Sequence, residues 1–322
     1  ISAMVFLLYA FIGPYMPGMF KHNGFSLEIV IEQSYLITEG IFGIPIMVSS
    51  TYIILFIIFG AFLEQSGTGK FFIDFSSSVA GWSWGGPGKV AVVSSGIFGT
   101  ISGSAVANVM VTGTFTIPLM KKTGFKPHFA GAVEAVASTG GQIMPPVMGA
   151  AAFVMSEFSG IPYITICKHA LIPSLLYYLA CFLCIHFEAI KAGLRGVPRD
   201  QLPSLSGVLK NQGYLFLPVV LIVVMMIKGY TPMLAAVIAI ASVVILVWVK
   251  EILIVSLGRS EESWGSMFTR LIKMILSAME YGAKGTVVVA AACACAGIII
   301  GIIALTGLGL KFTALVKAAS MG

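Results

Sequence analysis

The sequence contains little charge and few of the polar groups that line enzyme active sites. Only 10% of its 322 residues are Asp, Glu, Lys or Arg, His occurs 4 times, and the mean hydropathy is +0.99. A chain this apolar cannot cover itself with a solvated surface, and its hydrophobic runs are as long as a bilayer is thick. The composition excludes an ordinary soluble domain and predicts an all-α, polytopic transmembrane protein.

Motifs that would indicate other chemistries are missing from the sequence. No Walker A sequence occurs, so ATP hydrolysis is not predicted. The 5 cysteines lie in or beside apolar segments without metal-ligand spacing, so neither disulfides nor a zinc site is predicted. The net charge of +6 comes from short basic clusters between apolar runs, which membrane topology explains better than a nucleic-acid partner. We expect no cofactor, no nucleic acid, and the lipid bilayer as the surroundings.

Seven apolar runs predict membrane spans, and one of the seven is broken. They cover residues 2–20, 44–63, 129–158 (broken), 163–187, 213–229, 231–249 and 284–306. Segments 25–41 and 261–280 mix acidic and apolar residues, which predicts two amphipathic helices at the interface. Segments 86–101 and 104–120 are too short and too rich in Gly and Ser to cross alone. They predict a re-entrant hairpin, with two thin spans as the alternative.

The basic residues predict which side each loop faces. If the hairpin enters from the cytoplasm, fourteen of the 19 Lys and Arg residues face the cytoplasm and five face outside, as the positive-inside rule requires. This assignment assumes that residues 68–84 do not cross the membrane. The sequence Gly-Thr-Gly-Lys-Phe at 67–71 is echoed by Gly-Leu-Gly-Leu-Lys-Phe at 307–312. We therefore predict an inverted-topology repeat whose second copy is incomplete.

These features predict that the chain is divided into four parts. Residues 1–84 hold the first spans and a periplasmic interfacial helix, and residues 85–160 hold the hairpin and the broken helix as a transport core. Residues 161–260 hold connecting spans with a cytoplasmic loop at 188–212, and residues 261–322 begin the second repeat. Because the chain starts at Ile1 rather than Met and the second copy stops before its own hairpin, we expect a longer protein.

A polar stripe follows the predicted hairpin tip. Ser104, Asn108, Thr112 and Thr116 recur every four residues, so they lie on one slanted side of a helix. The stripe could hold neighbouring helices together or line a pathway, and Asn108 is the best pathway candidate because an amide is costly to bury.

The tip itself could bind ions. Ser102 or Ser104 could cap a helix here, and a helix N-terminus inside a membrane favours an anion. Freed carbonyl oxygens of such a turn could hold a hard cation.

A second irregular segment lies in the broken span. The run Thr139-Gly140-Gly141 unwinds easily, and Pro145-Pro146 removes two backbone donors. Such a break is either a kink or part of a site.

Glu134, Ser138 and Gly141 share one helical face of this broken span. A carboxylate two turns into a span is functional by default, so Glu134 could carry a proton or balance a cation. The alternative is that its charge reaches the cytoplasmic interface near Lys126. Elsewhere, five aromatic residues suit an interfacial belt: Trp82, Trp84, Tyr163, Tyr177 and Tyr178.

The tip and the break together resemble a known family. The runs Ile-Ser-Gly-Ser-Ala-Val-Ala-Asn at 101–108 and Ser-Thr-Gly-Gly-Gln-Ile-Met-Pro-Pro at 138–146 are similar to the large membrane subunit of tripartite ATP-independent periplasmic (TRAP) transporters. The runs at 85–95, 115–125 and 129–137 extend this similarity. It looks closest to the fused-permease branch, which works with TAXI-type binding proteins.

This resemblance implies a secondary transporter in the bacterial inner membrane rather than an enzyme. It would import small organic acids with an ion gradient, after a periplasmic TAXI-type protein delivers them, by an elevator mechanism. By position, the first hairpin tip matches Ser102, Gly103, Ser104 and Ala105, and the facing break matches Ser138, Thr139, Gly140, Gly141, Pro145 and Pro146. With Asn108, these residues are the predicted ion and substrate site.

The coupling ion is left open between Na⁺ and H⁺. A sodium ion would bind at Ser102, Gly103, Ser104 and Gly140. Glu134 differs from the small residues of the dicarboxylate branch, and because it could carry a proton or balance a cation, this difference does not decide between the two ions. Two other functions compete with the TRAP interpretation. One is a stand-alone ion-coupled anion transporter with a related inverted repeat, and the other is an intramembrane serine hydrolase that uses Ser102 or Ser104. The hydrolase would need a histidine at the same depth, and the histidines lie near span ends.

Overall fold

The computed structural model describes residues 1–256 and 264–321, and these residues form helices and turns without a strand. The α-helices are α1 (Ser2–Ile12), α2 (Leu27–Ile31), α3 (Ile44–Val48), α4 (Ile54–Gln65), α5 (Thr68–Ala80), α6 (Gly86–Ser102), α7 (Ala105–Lys122), α8 (Pro127–Thr139), α9 (Ala150–Ser159), α10 (Tyr163–Lys191), α11 (Leu205–Gln212), α12 (Leu217–Ile227), α13 (Pro232–Ser256), α14 (Trp264–Thr306) and α15 (Leu308–Met321). The all-α prediction is confirmed for the described residues.

Five helical stretches in the described residues are long and apolar enough to cross a bilayer. They are Ile44–Gln65, Tyr163–Lys191, Arg199–Ile227, Pro232–Ile252 and Met267–Thr306. Their number makes the chain a multi-pass membrane protein. The break predicted within residues 129–158 is also observed, because α8 ends at Thr139, a 3₁₀ turn covers Gly140–Ile143, and α9 begins only at Ala150.

Two predictions near the start of the chain were wrong in extent. The span predicted at 2–20 is divided into the 11-residue α1 and two 3₁₀ turns, Gly13–Tyr15 and Gly18–Phe20, because a regular α-helix does not continue through Pro14 and Pro17. The amphipathic helix predicted at 25–41 is reduced to α2 and a π-helical turn at Glu32–Leu36. Neither piece is long enough to form the extended interfacial helix that its composition indicated.

The boundary predicted between an interfacial helix at 261–280 and a span at 284–306 was also wrong. Helix α14 runs without interruption from Trp264 to Thr306, and residues 261–263 lie outside the described residues. A glycine such as Gly282 lowers helix stability by only about 1 kcal/mol, which is too little to end a helix. The ion pair between Lys284 and Glu280 (2.5 Å) spans the predicted boundary and supports continuity.

The chain forms two compact units, which differ from the four parts predicted from the sequence. The first contains Ile1–Ile53 and Gly285–Gly322, and its core includes Tyr9, Ala10, Val30 and Ile302. Within this unit Gly297 and Gly301 allow close backbone approach, since a Cβ at Gly297 would lie 2.2 Å from the carbonyl oxygen of Gly40. The four-part division remains a prediction.

The second unit, Ile54–Lys284, contains the hairpin and the broken helix. Helices α5, α6, α7 and α8 pack on one another, and α10 covers α6 and α8. Its buried core includes Ala91, Val92, Met120, Phe125, Ala130, Val133, Ala137, Tyr178, Ile185 and Ala189. These contacts place the hairpin against the break in α8.

The short sequence echo corresponds to a shared backbone conformation. Gly67 (φ +88°) separates α4 from α5, and Gly307 (φ +63°) separates α14 from α15. Each glycine occupies the left-handed region between a membrane-length apolar stretch, Ile44–Gln65 or Met267–Thr306, and a helix of 13 or 14 residues. The similarity supports the repeat, while its inverted orientation stays a prediction.

Candidate functional site

The hairpin tip is built by two serines and a glycine with different roles. Helix α6 ends at Ser102, and Gly103 takes the left-handed conformation (φ +57°) that ends it. Ser104 is the N-cap of α7, because its Oγ accepts a hydrogen bond from the Ala107 N–H at 3.3 Å. The Ser102 Oγ is buried and has no hydrogen-bond partner among the described residues. It is therefore a polar group still available to a ligand.

The tip packs against the segment that follows the two prolines. A Cβ at Gly103 would lie 1.8 Å from the carbonyl oxygen of Met148, so no other residue fits there. The Val147 N–H donates to the Thr100 carbonyl (3.3 Å), which fixes the segment on α6. The predicted tip is thus joined to residues 147–149 as well as to the glycines of the break.

The glycine pair of the break contacts two different helices. A Cβ at Gly141 would lie 2.9 Å from the Gly99 Cα and 3.0 Å from the Asn108 Nδ2, so Gly141 brings the break onto the hairpin. A Cβ at Gly140 would instead lie 2.5 Å from the ring of Tyr177 on α10. Of the four residues predicted for sodium, Ser102, Gly103 and Ser104 therefore lie at the tip, whereas Gly140 faces α10.

Three tyrosines of α10 satisfy backbone carbonyls at the break. Tyr177 donates to the Val136 oxygen (2.7 Å), Tyr178 to the Ala137 oxygen (3.1 Å), and Tyr163 to the Val147 oxygen, with the Pro146 oxygen also within reach at 3.1 Å. Unwound backbone inside a membrane needs such partners, since no water is there to replace them. These three residues were predicted for an interfacial belt; the structure instead uses their hydroxyl groups to stabilise the break.

Glu134 lies in a cage of hydroxyl groups. Its exposed fraction is 0%, and hydrogen bonds reach it from Thr116 (2.5 Å to Oε2), Ser138 (3.1 Å to Oε1), Ser95 (3.3 Å to Oε1) and Thr112 (to Oε1). No basic side chain pairs with it among the described residues. The suggestion that its charge reaches the interface near Lys126 was therefore wrong.

The polar stripe of α7 joins this cage to α6. Asn108, Thr112 and Thr116 are all 0% exposed, and Asn108 Nδ2 donates to the Ser95 carbonyl at 2.8 Å. Three positions of the stripe thus connect α6, α7 and α8 by hydrogen bonds, as the helix-joining alternative predicts. Ser95 was missed from the sequence, because a single serine in an apolar helix carries no periodic signal.

Two threonine hydroxyl groups beside Glu134 each lie within hydrogen-bonding distance of more than one acceptor, although each has only one proton to donate. Thr112 Oγ1 lies 2.8 Å from the Asn108 carbonyl oxygen, and Thr116 Oγ1 lies 2.9 Å from the Thr112 carbonyl oxygen. Each hydroxyl has one proton, so it can donate either to its own helix or to the carboxylate. Thr112 and Thr116 can therefore direct their hydrogen bonds either to Glu134 or to the backbone carbonyls of the preceding turn.

Comparison with known proteins matches this architecture to one family. The family model described as "Tripartite ATP-independent periplasmic transporter, DctM component" matches residues 1–322. The chain belongs to the DctM family.

Individual relatives agree with the family assignment. The C4-dicarboxylate TRAP transporter large permease protein DctM of Vibrio cholerae is 29% identical over 158 residues, 48% of this chain and 33% of the relative. The sialic acid TRAP transporter large permease protein SiaM of the same organism is 25% identical over 247 residues, 72% of this chain and 56% of the relative. An uncharacterized protein, y4mL of Sinorhizobium fredii, is 29% identical over 223 residues, 68% and 51% of the two chains.

The DctM-family chain spans about half or less of the length of most curated relatives that it matches. The relatives with functional names are called transport permeases, which places the chain with non-enzymatic membrane transport proteins.

The hydroxyl cage predicts an asymmetric effect of threonine substitutions in this DctM-family chain. Replacing Thr116 with Val leaves Glu134 Oε2 without its donor, so the free energy of unfolding should fall by about 1–2 kcal/mol. Thr114→Val, on the exposed side of the same helix, is the matched control and should change stability little. Thermal unfolding in detergent measures both. If the two substitutions lowered the unfolding temperature equally, the hydrogen bond from Thr116 to Glu134 would make no specific contribution to stability.

Proposed function

We propose that this chain forms the substrate-translocating part of a secondary transporter that imports small organic acid anions across the bacterial inner membrane. The observation that carries the proposal is a fully buried carboxylate between the hairpin and a broken helix, in a chain that matches the DctM family from end to end. Relatives are named for C4-dicarboxylates, sialic acid and isethionate, which are all organic acids. We extend that substrate class to this chain.

In this proposal, α6 and α7 form a re-entrant hairpin whose tip meets the substrate. The N-terminus of α7 and the unpartnered Ser102 Oγ favour a carboxylate group there. The break at 138–146 faces this tip across the Gly99–Gly141 contact. Movement of the hairpin and α8 as one body in an elevator mechanism would carry the substrate across.

We propose a proton as the coupling ion, carried by Glu134. The hydroxyl oxygens of Thr116 and Ser138 lie 2.5 and 3.1 Å from the carboxylate, so both hydroxyl groups can donate hydrogen bonds to it. A sodium ion in the same place would need those protons turned away and the oxygens spread around the ion. Sodium at Ser102, Gly103, Ser104 and Gly140 is the competing assignment.

A periplasmic substrate-binding protein is the proposed partner, and a TAXI-type protein is the specific candidate. Support for the partner comes from the family to which the chain belongs, and support for the TAXI type comes only from sequence resemblance to the fused-permease branch.

Uptake by the complete permease in proteoliposomes tests these proposals. Candidate binding proteins are added one at a time, and sodium and proton gradients are imposed separately. We expect uptake of an organic acid only with a binding protein and an inward proton gradient. Uptake without a binding protein would indicate the stand-alone transporter, and uptake driven by sodium alone would assign the coupling ion to the tip.

A further inference from the structure

Away from the hairpin tip, two arginines and two tryptophans meet where α5 turns into α6. The loop that follows α10 crosses this turn, and its Val197 N–H donates to the Gly81 carbonyl at 2.9 Å. Gly196 lies so close to Trp82 that a Cβ there would be 2.4 Å from the Trp82 carbonyl oxygen. Backbone contacts therefore hold the loop in a defined position.

Each arginine of this loop lies over an indole ring. The Arg199 Cζ is 4.5 Å from the ring centroid of Trp82, and the Arg195 Cζ is 5.9 Å from that of Trp84. A guanidinium on an aromatic face keeps its N–H donors in its own plane, where they can reach an acceptor. Neither arginine pairs with a carboxylate among the described residues, and the neighbouring Asp200 does not line the cavity between them.

A cavity of about 310 Å³ lies between these side chains. It is lined by both tryptophans and by residues 195–199. Two planar cations without a counter-charge match the oxygens of a phosphate group, which guanidinium groups bind in pairs of parallel hydrogen bonds. The cavity is therefore suited to a phosphate.

A separate apolar groove of about 390 Å³ lies between α6, the helix that follows this turn, and α10, the helix that precedes this loop. Val93 and Ile97 of α6 and Leu179 and Phe182 of α10 line it. The helices are antiparallel, since Gly88 approaches Ile185 and Gly96 approaches Tyr178. Seven to twelve residues separate the turn at 85 from the groove at 92–97, about 10–18 Å of helix. That distance matches the depth of one leaflet of the hydrocarbon core, about 15 Å.

We propose that this surface binds an anionic phospholipid. Its phosphate lies between Arg195 and Arg199, the indole rings of Trp82 and Trp84 lie at headgroup level, and one acyl chain follows the groove between α6 and α10. The positive-inside rule predicts that the loop with Arg195 and Arg199 lies on the cytoplasmic side of the membrane. Anionic lipids of the cytoplasmic leaflet attract basic clusters. A free phosphate would use the first cavity alone, so the aligned apolar groove favours the lipid.

Native mass spectrometry of the purified protein with phosphatidylglycerol or phosphatidylethanolamine tests the headgroup part. We expect phosphatidylglycerol to be retained in preference, and Arg195→Gln with Arg199→Gln to reduce its retention at least about tenfold. Lys121→Gln with Lys122→Gln, an exposed basic pair at the end of α7, is the matched control and should retain the lipid. Equal losses in the two double variants, or no preference for phosphatidylglycerol, would overturn the proposal.

The acyl-chain part has its own pair of variants. Leu179→Trp fills the groove and should release the lipid, whereas Leu176→Trp, exposed on α10 outside the groove, should not. Inorganic phosphate should not displace the lipid at equal concentration. Retention of the lipid by Leu179→Trp would show that no acyl chain occupies the groove, and displacement by phosphate would show a free-anion site; either result would overturn the proposal. The tryptophan pair leaves both arginines in place, so the test stands even if the arginine variants unfold.

Discussion

Glu134→Gln should reduce proton-driven uptake to the level of vesicles without protein. Glutamine keeps the shape of the side chain, and its carbonyl oxygen can accept from one of the hydroxyl groups of Thr116 and Ser138 while its NH2 donates to the oxygen of the other, but it cannot bind and release a proton. Because Glu134 is fully buried, no solvent-exposed group can take over its charge. The measurement is uptake in proteoliposomes under an imposed pH gradient, with the binding protein present.

A matched control separates coupling from general damage. Glu157→Gln removes a carboxylate from the exposed surface of α9 and should leave uptake unchanged. Both variants should keep a wild-type unfolding temperature, because glutamine can still be hydrogen-bonded in the cage. Full proton-driven uptake by Glu134→Gln would remove this residue from the mechanism. Loss of sodium-driven uptake alone would show that Glu134 serves a sodium ion rather than a proton.

Gly103→Ala should lower uptake at least about tenfold, and Gly103→Val should abolish it, while both proteins still insert into the membrane. Two costs combine at this position. A side chain in the left-handed region costs about 1–2 kcal/mol, and the new Cβ would lie 1.8 Å from the Met148 carbonyl oxygen. That oxygen is backbone, so it can yield only if residues 147–149 move away from the tip. A cost of 1.4 kcal/mol already changes a conformational equilibrium tenfold.

Gly160→Ala is the control that isolates the second cost. Gly160 has nearly the same conformation (φ +65°), but nothing lies within 4 Å of a Cβ built there. The Gly160→Ala variant should therefore lose some stability through backbone strain but still transport the substrate. Uptake is measured per inserted protein, with insertion checked by membrane extraction and gel filtration. If both alanine variants transport equally well, close contact between the tip and residues 147–149 is not required for transport.

The position of the breaks could be predicted because the signals are local. Gly103 after a Gly- and Ser-rich stretch, the pair Gly140-Gly141 and the pair Pro145-Pro146 each act on their own backbone, whatever lies around them. The continuity of α14 could not be predicted in this way. A single glycine at 282 is a weak local signal, and the length of the helix is decided by packing and by pairs such as Glu280 and Lys284.

The sequence by itself determined the class of this protein: apolar runs of bilayer length with so few charges can only be buried as membrane helices, and the Gly and Pro positions determine where those helices stop. Only the tertiary structure decided what surrounds the irregular segments. Ser95 joins Glu134, two tyrosines of α10 donate to carbonyl oxygens in the last turn of α8, and residues 147–149 close on Gly103. The physical reason is that hydrogen-bond partners between helices depend on crossing geometry, whereas hydropathy and backbone conformation are properties of each residue and its neighbours.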